Sequence, residues 1–407
     1  MLKVAHVVRR FAFHEWGGTE NVVWNTVLYQ RRRGINAEIL ATAALSKPGE
    51  EIHQGIQIRR FRHWYPYFPM TKQIREILDK KGGSPYVPAL FRMLRKEPYD
   101  LIHIHCGGRM AQISASLARR RDIPCVITLH GGSADVPKSE IRRMMKPVKG
   151  KFHYGGVIDR MLKKRCDPLA AADAVICLNR NEEAILKAKY PGRRIIHLPN
   201  GVDDSGFRVK PGYSVRREWR IPAGCSLIVC TARIDHQKNQ LILLRLLADE
   251  PQSHLILIGP VTSAHYYREI TAEAERLKVS GRLTVIPGLP PGDPRLKAVL
   301  HEADIFILPS VHEPFGIAVL EAMAAGIPVI ASNAGGLRDL IVNERNGLLF
   351  ASGDYDGLRN AYRQLNGDLL LREKLIRQAT LDVRKYSWDS LMERLMLLYR
   401  ELMYAKS

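Results

Sequence analysis

Residues 307–332 read ILPSVHEPFGIAVLEAMAAGIPVIAS. The apolar segment DIFILPS (304–310) that leads into this run reads as a strand buried on both faces of a parallel sheet. A loop with Glu313, Pro314, Phe315 and Gly316 follows it. The small-residue pattern then predicts a helix from Phe315 to Ala325, stopped by Gly326 and Pro328. In doubly wound α/β sheets a ligand sits beyond the carboxyl ends of the strands, where such loops gather. Gly316 allows close approach to the backbone. The N–H groups of Phe315, Gly316 and Ile317 at the helix start suit phosphate or sugar oxygens. Glu313 is set to reach in from the loop and Glu321 from the helix, about 12 Å further along at 1.5 Å per residue. That spread fits an extended ligand with hydroxyls at both ends and a phosphate between them.

Working outward, both halves alternate strand and helix. Strands are expected at 3–9, 36–42, 55–61, 99–106, 124–130, 173–179 and 193–199, then at 226–232, 254–260, 282–287, 304–309, 328–332 and 347–350. Helical periodicity fills the intervals, including 159–171, and such alternation predicts parallel sheets with helices on both faces. The fold class is therefore α/β, with two doubly wound, Rossmann-like domains facing each other across a cleft. The turn-rich NGVDDSGF (200–207) marks the boundary, giving domains of 1–203 and 204–384. A last helix, 387–404, has Ser387 as its cap and an apolar stripe of Trp388, Leu391, Leu395, Leu398 and Leu402.

Further candidates lie at strand ends. Gly17 and Gly18 follow the first strand and open a helix, which suits close backbone contact with a phosphate; they do not form a G-x-G-x-x-G dinucleotide fingerprint, so a nicotinamide enzyme is not expected. Arg233 and Lys238 (TARIDHQKN) follow another strand. An Arg fork and a Lys point charge form a good pair for a diphosphate leaving group, the alternative being a solvated basic loop. His130 ends the strand CVITLH before Gly131 and Gly132. His103 and His105 alternate in LIHIHC and so share one face, but even with Cys106 no second ligand cluster at metal spacing is evident.

A bare pair of glutamates eight apart occurs often by chance. Set in this strand–loop–helix context, with Gly335-Gly336 after the next strand, it resembles the E-x7-E signature of the family 4 retaining glycosyltransferases of GT-B fold, and the resemblance extends over nearly the whole chain. It implies catalytic roles for His130, Arg233, Lys238 and Glu313. Arg233 and Lys238 would hold the donor diphosphate, His130 would touch the transferred hexose, and Glu313 would hold its hydroxyls. It implies donor-binding roles for Gly17, Gly18, Phe315, Gly316, Ile317 and Glu321, with Glu321 on the ribose hydroxyls. It also implies that segment 385–407 packs back on the first domain. Such enzymes move a hexose or N-acetylhexosamine from a nucleotide-diphosphate sugar, with a UDP-sugar the favoured donor here, and keep its anomeric configuration. They need no cofactor and no metal, and no D-x-D motif appears in the expected setting.

Bulk properties bound the partners. Of 407 residues, 62 are Lys or Arg and 41 Asp or Glu, for a net charge of +21. Residues 1–200 hold 36 of the basic residues against 17 acidic ones, whereas residues 201–407 hold 26 against 24, so the first half is expected to meet something anionic. The segment RRFRHWYPYFPM (59–70) and the basic stretch 138–165, which also holds Met144, Met145 and Phe152, mix basic and apolar or aromatic residues. That suits a headgroup interface or single-stranded nucleic acid, unless the aromatics pack under a loop. Taken together, the expectation is a glycan or lipid-linked acceptor, an anionic membrane surface as a further partner, and no nucleic acid. Six cysteines without a C-x-x-C pair, no leader-like start and no apolar run of about 20 residues predict a cytoplasmic protein. The basic first half adds the expectation of a peripheral place on the inner face of the cell membrane, and the family resemblance implies work in cell-envelope or polysaccharide biosynthesis. The alternatives are an epimerase or phosphorylase on the same fold, or a non-catalytic basic binding module.

Overall fold

The computed structural model describes residues 2–131, 149–161, 166–290 and 292–406. Most of the basic stretch 138–165, together with Gly132, lies outside them. Two compact units are present: Met1–Pro199 with Trp388–Ser407, and Asn200–Ser387.

The first unit is built on a sheet of eight strands. In chain order these are β1 (Lys3–Arg10), β2 (Asn36–Thr42), β3 (Gly49–His53), β4 (Ile56–Phe61), then, after a separate short β5 (Tyr67–Phe68), β6 (Leu101–Ile104) and β7 (Cys125–Leu129). A short β8 (Phe152–His153) precedes β9 (Ala174–Cys177) and β10 (Ile195–His197). The order across the sheet is β10-β9-β7-β6-β1-β2-β4-β3. All neighbours are parallel except β3, which turns back on β4 through Gln54 and Gly55, both at positive φ. Sequence reading missed β3 because GEEIH carries one large apolar residue, Ile52, which is exposed. Edge strands of this kind need no buried face.

Both faces of this sheet are covered. In β1, Val4 and Val8 point to one core and Ala5 and Val7 to the other, the period-2 alternation of a doubly buried strand. The Val4 face packs on helix Gly18–Arg32, through Val23 and Val27, and on helix Trp388–Tyr404. Four residues of the C-terminal apolar stripe, Leu391, Leu395, Leu398 and Leu402, are buried there along with Met392, Met396 and Tyr399, and Trp388 is buried with its ring centroid 6.0 Å from that of Tyr29. The Ala5 face packs on helices Pro88–Lys96 and Gly108–Arg120.

The second unit has six parallel strands: β11 (Ser226–Thr231), β12 (Ser253–Ile258), β13 (Leu283–Ile286), β14 (Ile305–Leu308), β15 (Val329–Ser332) and β16 (Leu348–Phe350), in the order β13-β12-β11-β14-β15-β16. The order reverses between β11 and β14, and in such sheets the reversal opens a crevice at the carboxyl ends of the two strands. The α/β reading of both halves therefore holds.

Three local expectations need correction. The helix predicted from Phe315 spans Ile317–Ala325, because Gly316 at φ +105° forms its left-handed N-cap and turns the chain just before it. The predicted helix 159–171 is replaced by Gly155–Met161 and Pro168–Ala171, with residues 162–165 outside the described set. The basic-aromatic segment 59–70 is also less free than its composition implies. Arg59 and Arg60 belong to β4 and pair with Glu38 at 3.2 Å and Glu51 at 2.5 Å, while Tyr65 is buried with its hydroxyl 2.8 Å from Asp79. Arg62, Trp64 and Phe68 remain exposed.

Candidate functional site

In the second unit, β11 and β14 lie side by side, with Ile228 opposite Ile305 and Val229 opposite Phe306, so the loops that follow them emerge together. The β11 loop carries Arg233 and Lys238, and the β14 loop carries Glu313. Lys238 and Glu313 are both buried, and Nζ donates to Oε2 across 2.5 Å. Ser310 Oγ donates to the same carboxylate oxygen at 3.3 Å. Sequence reading gave these two residues separate ligands; the structure couples them directly. Arg233 is exposed, with Nη2 donating to Gln237 Oε1 at 3.0 Å, and Gln237 in turn donates to the His312 carbonyl at 3.1 Å. Gln237 thus ties the Arg233 loop to the Glu313 loop. His236, beside it, forms with His265 and Glu269 a further group whose ligand atoms lie within 4.8 Å of one another.

A third loop, after β15, fixes the second. Gly335 sits at φ +53°, and a Cβ there would fall 2.1 Å from the Glu313 carbonyl oxygen. Gly336 N–H donates to that oxygen at 2.8 Å, and Ser332 Oγ donates to the Ser310 carbonyl at 2.5 Å. Any side chain at 335 would push Glu313 out of place, so the Gly-Gly turn is a positioning element for the carboxylate.

Glu321 projects from the first turns of helix Ile317–Ala325. It is half-buried and has no hydrogen-bond or ion-pair partner among the described residues. Protein encloses its carboxyl, and desolvation pushes its pKa up to about 7. A carboxylate that retains some solvent access but is starved of donors is suited to accept from a diol. The helix start beside it, at Phe315, Gly316 and Ile317, supplies first-turn N–H groups that have no partner inside the helix. A cavity of about 770 Å³ in this unit lies elsewhere, lined by Ser226, Ser253 and Asp304 at the amino ends of the strands, on the edge of the sheet opposite these loops.

In the first unit, Gly17 is the N-cap of helix Gly18–Arg32 and is extended at φ −137°. The first turn is held by Glu20, buried and accepting from Arg10 Nε at 2.8 Å. His130 lies just beyond β7 and is half-buried. Its Nε2 is 2.8 Å from His105 Nδ1, and His105 Nε2 is 2.9 Å from His6 Nδ1. His6 Nε2 reaches Gln30 Oε1 at 2.8 Å. His103, in register with His6, contacts Tyr399 at 2.5 Å and Thr128 at 2.7 Å. His6, His103 and His105 have ligand nitrogens within 4.8 Å of one another, but all six of their ring nitrogens are committed to these hydrogen bonds. Burial pushes the Cys106 thiol up to about 12, so it is no thiolate donor for that cluster. Sequence reading missed His6, Gln30 and Tyr399. The alternation of His103 and His105 was the visible signal, but partners on other strands and on a helix nearly 300 residues away were not.

A model for "Glycosyl transferases group 1" matches residues 214–382, and one for "Glycosyltransferase Family 4" matches residues 16–205. The chain is 28% identical to a D-inositol 3-phosphate glycosyltransferase of Acidothermus cellulolyticus, covering 91% of this chain and 82% of that one. It is 27% identical to an Escherichia coli UDP-Gal:alpha-D-GlcNAc-diphosphoundecaprenol alpha-1,3-galactosyltransferase over 74% of each. Its fold superposes on Anabaena HepE, solved with UDP and glucose, with a TM-score of 0.73 at 18% identity, covering 98% of this chain and all of that one.

Proposed function

Because the chain belongs to the family 4 glycosyltransferases of GT-B fold, we propose that its substrate is a UDP-sugar, from which it moves a hexose or N-acetylhexosamine to a hydroxyl of a lipid-linked or other anionic glycan acceptor, with retention and without a metal. The observation that carries this reading is the cluster at the β11–β14 reversal: exposed Arg233, the buried Lys238–Glu313 pair and unpartnered Glu321 on one crevice edge. Glu321 accepts from the ribose diol. Arg233 and the start of helix Ile317–Ala325 hold the diphosphate, and Lys238 shares its charge between Glu313 and the leaving phosphate. Glu313 holds hexose hydroxyls and faces the positive charge that develops at the anomeric carbon. His130 touches the hexose. The leaving phosphate accepts the acceptor's proton on the same face, which yields retention. The UDP and UDP-Gal in the names of the relatives support this donor class.

The test is a panel of UDP-, GDP-, ADP- and dTDP-sugars scored for donor hydrolysis, then for transfer to acceptors. Arg233→Ala should lower kcat by about 10²- to 10³-fold with the fold intact, the scale for one preorganised charge-stabilising group. Excess chelator should leave turnover unchanged. A strict metal requirement that His236→Ala or Glu269→Ala abolishes would instead place an ion on that group and overturn the metal-free mechanism.

Two exposed aromatic segments support an amphiphilic acceptor. β5 and β8 pair antiparallel with Phe68 opposite Phe152, and both rings are about two-thirds exposed. Exposed Arg62, Lys72 and Lys149 lie close by in the chain. Among the described residues no helix is long and apolar enough to cross a membrane. We read this pair as a wedge seated at a lipid headgroup interface. Each Phe contributes about 1.5–3 kcal/mol when buried, so Phe68→Ser/Phe152→Ser should weaken co-sedimentation with anionic vesicles by tenfold or more. Equal binding by the double variant would remove the wedge.

A further inference from the structure

We propose that Gln30 and Tyr399 are positioning residues. Through His6 and His105 they hold His130 in the tautomer with a proton on Nε2 and a bare Nδ1, so that its outer nitrogen accepts from a substrate hydroxyl rather than donating to it. The last clause rests on the reading that His130 touches the hexose; the assignment of the tautomer does not.

The polar stripe runs along the face of β1, β6 and β7 that helices Gly18–Arg32 and Trp388–Tyr404 cover. His6, Gln30 and His103 are at most 2% exposed, His105 is 4% exposed, and Tyr399 is fully buried. Burial lowers His6 and His130 to about 4 and drives His103 and His105 well below the ordinary range. Each ring is therefore neutral at pH 7, with one N–H donor and one bare acceptor. A chain of neutral rings linked nitrogen to nitrogen has only two proton arrangements, all pointing one way or all the other. Whatever fixes one end fixes every ring.

Tyr399 fixes that end. Its hydroxyl lies 2.5 Å from His103 Nδ1, within the range of O–H donation, about 2.5–3.0 Å, and below that of N–H donation, about 2.7–3.2 Å. Tyr399 therefore gives its one proton to His103, and His103 Nε2–H donates to Thr128 Oγ1 at 2.7 Å. With its proton spent, the Tyr399 oxygen can only accept from Gln30, whose amide nitrogen stands 3.4 Å away. The Gln30 carbonyl is then turned to His6, which must donate from Nε2. His6 Nδ1 is bare and accepts from His105 Nε2–H. His105 Nδ1 is bare and accepts from His130 Nε2–H. One free position is left, His130 Nδ1, for which the structure records no partner among the described residues.

The geometry also explains why a buried polar stripe is tolerated through an apolar core. Every member is satisfied in this one arrangement, and such a network favours a single packing of the C-terminal helix. The alternative arrangement would turn the Gln30 amide and place an N–H on the outer face of His130.

The test is ¹⁵N NMR of the full chain labelled at histidine, with His130→Asn used to assign its signals. Wild type at neutral pH should show His130 with a protonated Nε2 and a bare Nδ1. In Gln30→Leu and Tyr399→Phe the end is released, so His130 should populate both tautomers and kcat/KM for the donor should fall by about three- to tenfold, the worth of one hydrogen bond. Gln30→Glu keeps an acceptor against His6 and should keep the wild-type tautomer. A protonated Nδ1 on His130 in the wild type overturns the proposal without any variant. A mixed tautomer in Gln30→Leu with unchanged kcat/KM overturns the positioning role while leaving the family's chemistry untouched. Loss of activity in His130→Asn with no tautomer change in either variant overturns the wire and leaves the His130–hexose reading standing.

Discussion

The double variant Glu313→Gln/Lys238→Met should be about as stable as the wild type while having lost at least 10²- to 10³-fold in kcat. Each single change removes one half of an ion pair whose side chains are 10–12% exposed. What remains is a charge held out of water with no counter-charge beside it, and that costs about 3–5 kcal/mol. Glu313→Gln strands the Lys238 ammonium, and Lys238→Met strands the Glu313 carboxylate with only Ser310 Oγ to satisfy it. Replacing both partners removes the desolvation cost together with the attraction, and exchanges of this kind are often neutral or stabilising. Stability should therefore fall in each single variant and return in the double, as read from the urea midpoint. Activity should not return, because in the proposed mechanism the carboxylate and the ammonium both act as charge develops between sugar and phosphate, a contribution of about 2.7–4 kcal/mol per group. The non-additive stability separates packing from chemistry. Turnover near wild type in the double variant would remove both residues from the mechanism. Unchanged stability in both singles would mean that the pair carries no structural charge coupling.

That pairing marks where the sequence stopped being readable. The run around Glu313 was legible because each of its parts has a local cause: β14 is apolar on both faces, Gly316 needs a positive φ, and Gly326 ends the helix with a second one. Arg233 and Lys238 were legible as strand-end cations. Their geometry was not, because the Lys238–Glu313 contact spans 75 residues and depends on β14 crossing over to lie beside β11. No periodicity encodes that adjacency. The histidine stripe shows the same division. Alternation put His103 and His105 on one face, but the register of His6 with His103 and the arrival of Tyr399 from the last helix are tertiary facts. In the segment 59–70, composition implied a continuous basic surface, and two of its arginines proved to be tied to Glu38 and Glu51. A charge run can be read from sequence, but its partners can be read only from the fold.

On the proposed reading, with Glu321 on the ribose diol, binding of the donor is tied to pH in a way that can be measured directly. Its carboxyl is raised by desolvation to about 7 in the unliganded protein, against about 4.5 when solvated. A ribose diol donates to the carboxylate and has no use for the protonated acid, so binding favours the charged form and lowers this pKa. The linkage then has a definite sign. Below pH 7 the site must first lose a proton, so UDP-sugar affinity should weaken as the pH falls; above pH 7 it should level off. Between pH 8 and pH 5 the full effect of a pKa near 7 is about 100-fold in Kd, at 1.36 kcal/mol per unit. The stability of the unliganded unit runs the other way, since a raised carboxyl is better tolerated protonated and loses its advantage as pH rises from 4.5 through 7. UDP itself would confuse the measurement, because a terminal phosphate also titrates near pH 6. An intact UDP-sugar has no such group, so it is the ligand for calorimetry in buffers of differing ionisation enthalpy. About half a proton should be released per binding event at pH 7, and none in Glu321→Gln, whose weaker affinity should also be flat with pH. A pH slope that survives Glu321→Gln would move the titrating group elsewhere and take Glu321 off the ribose.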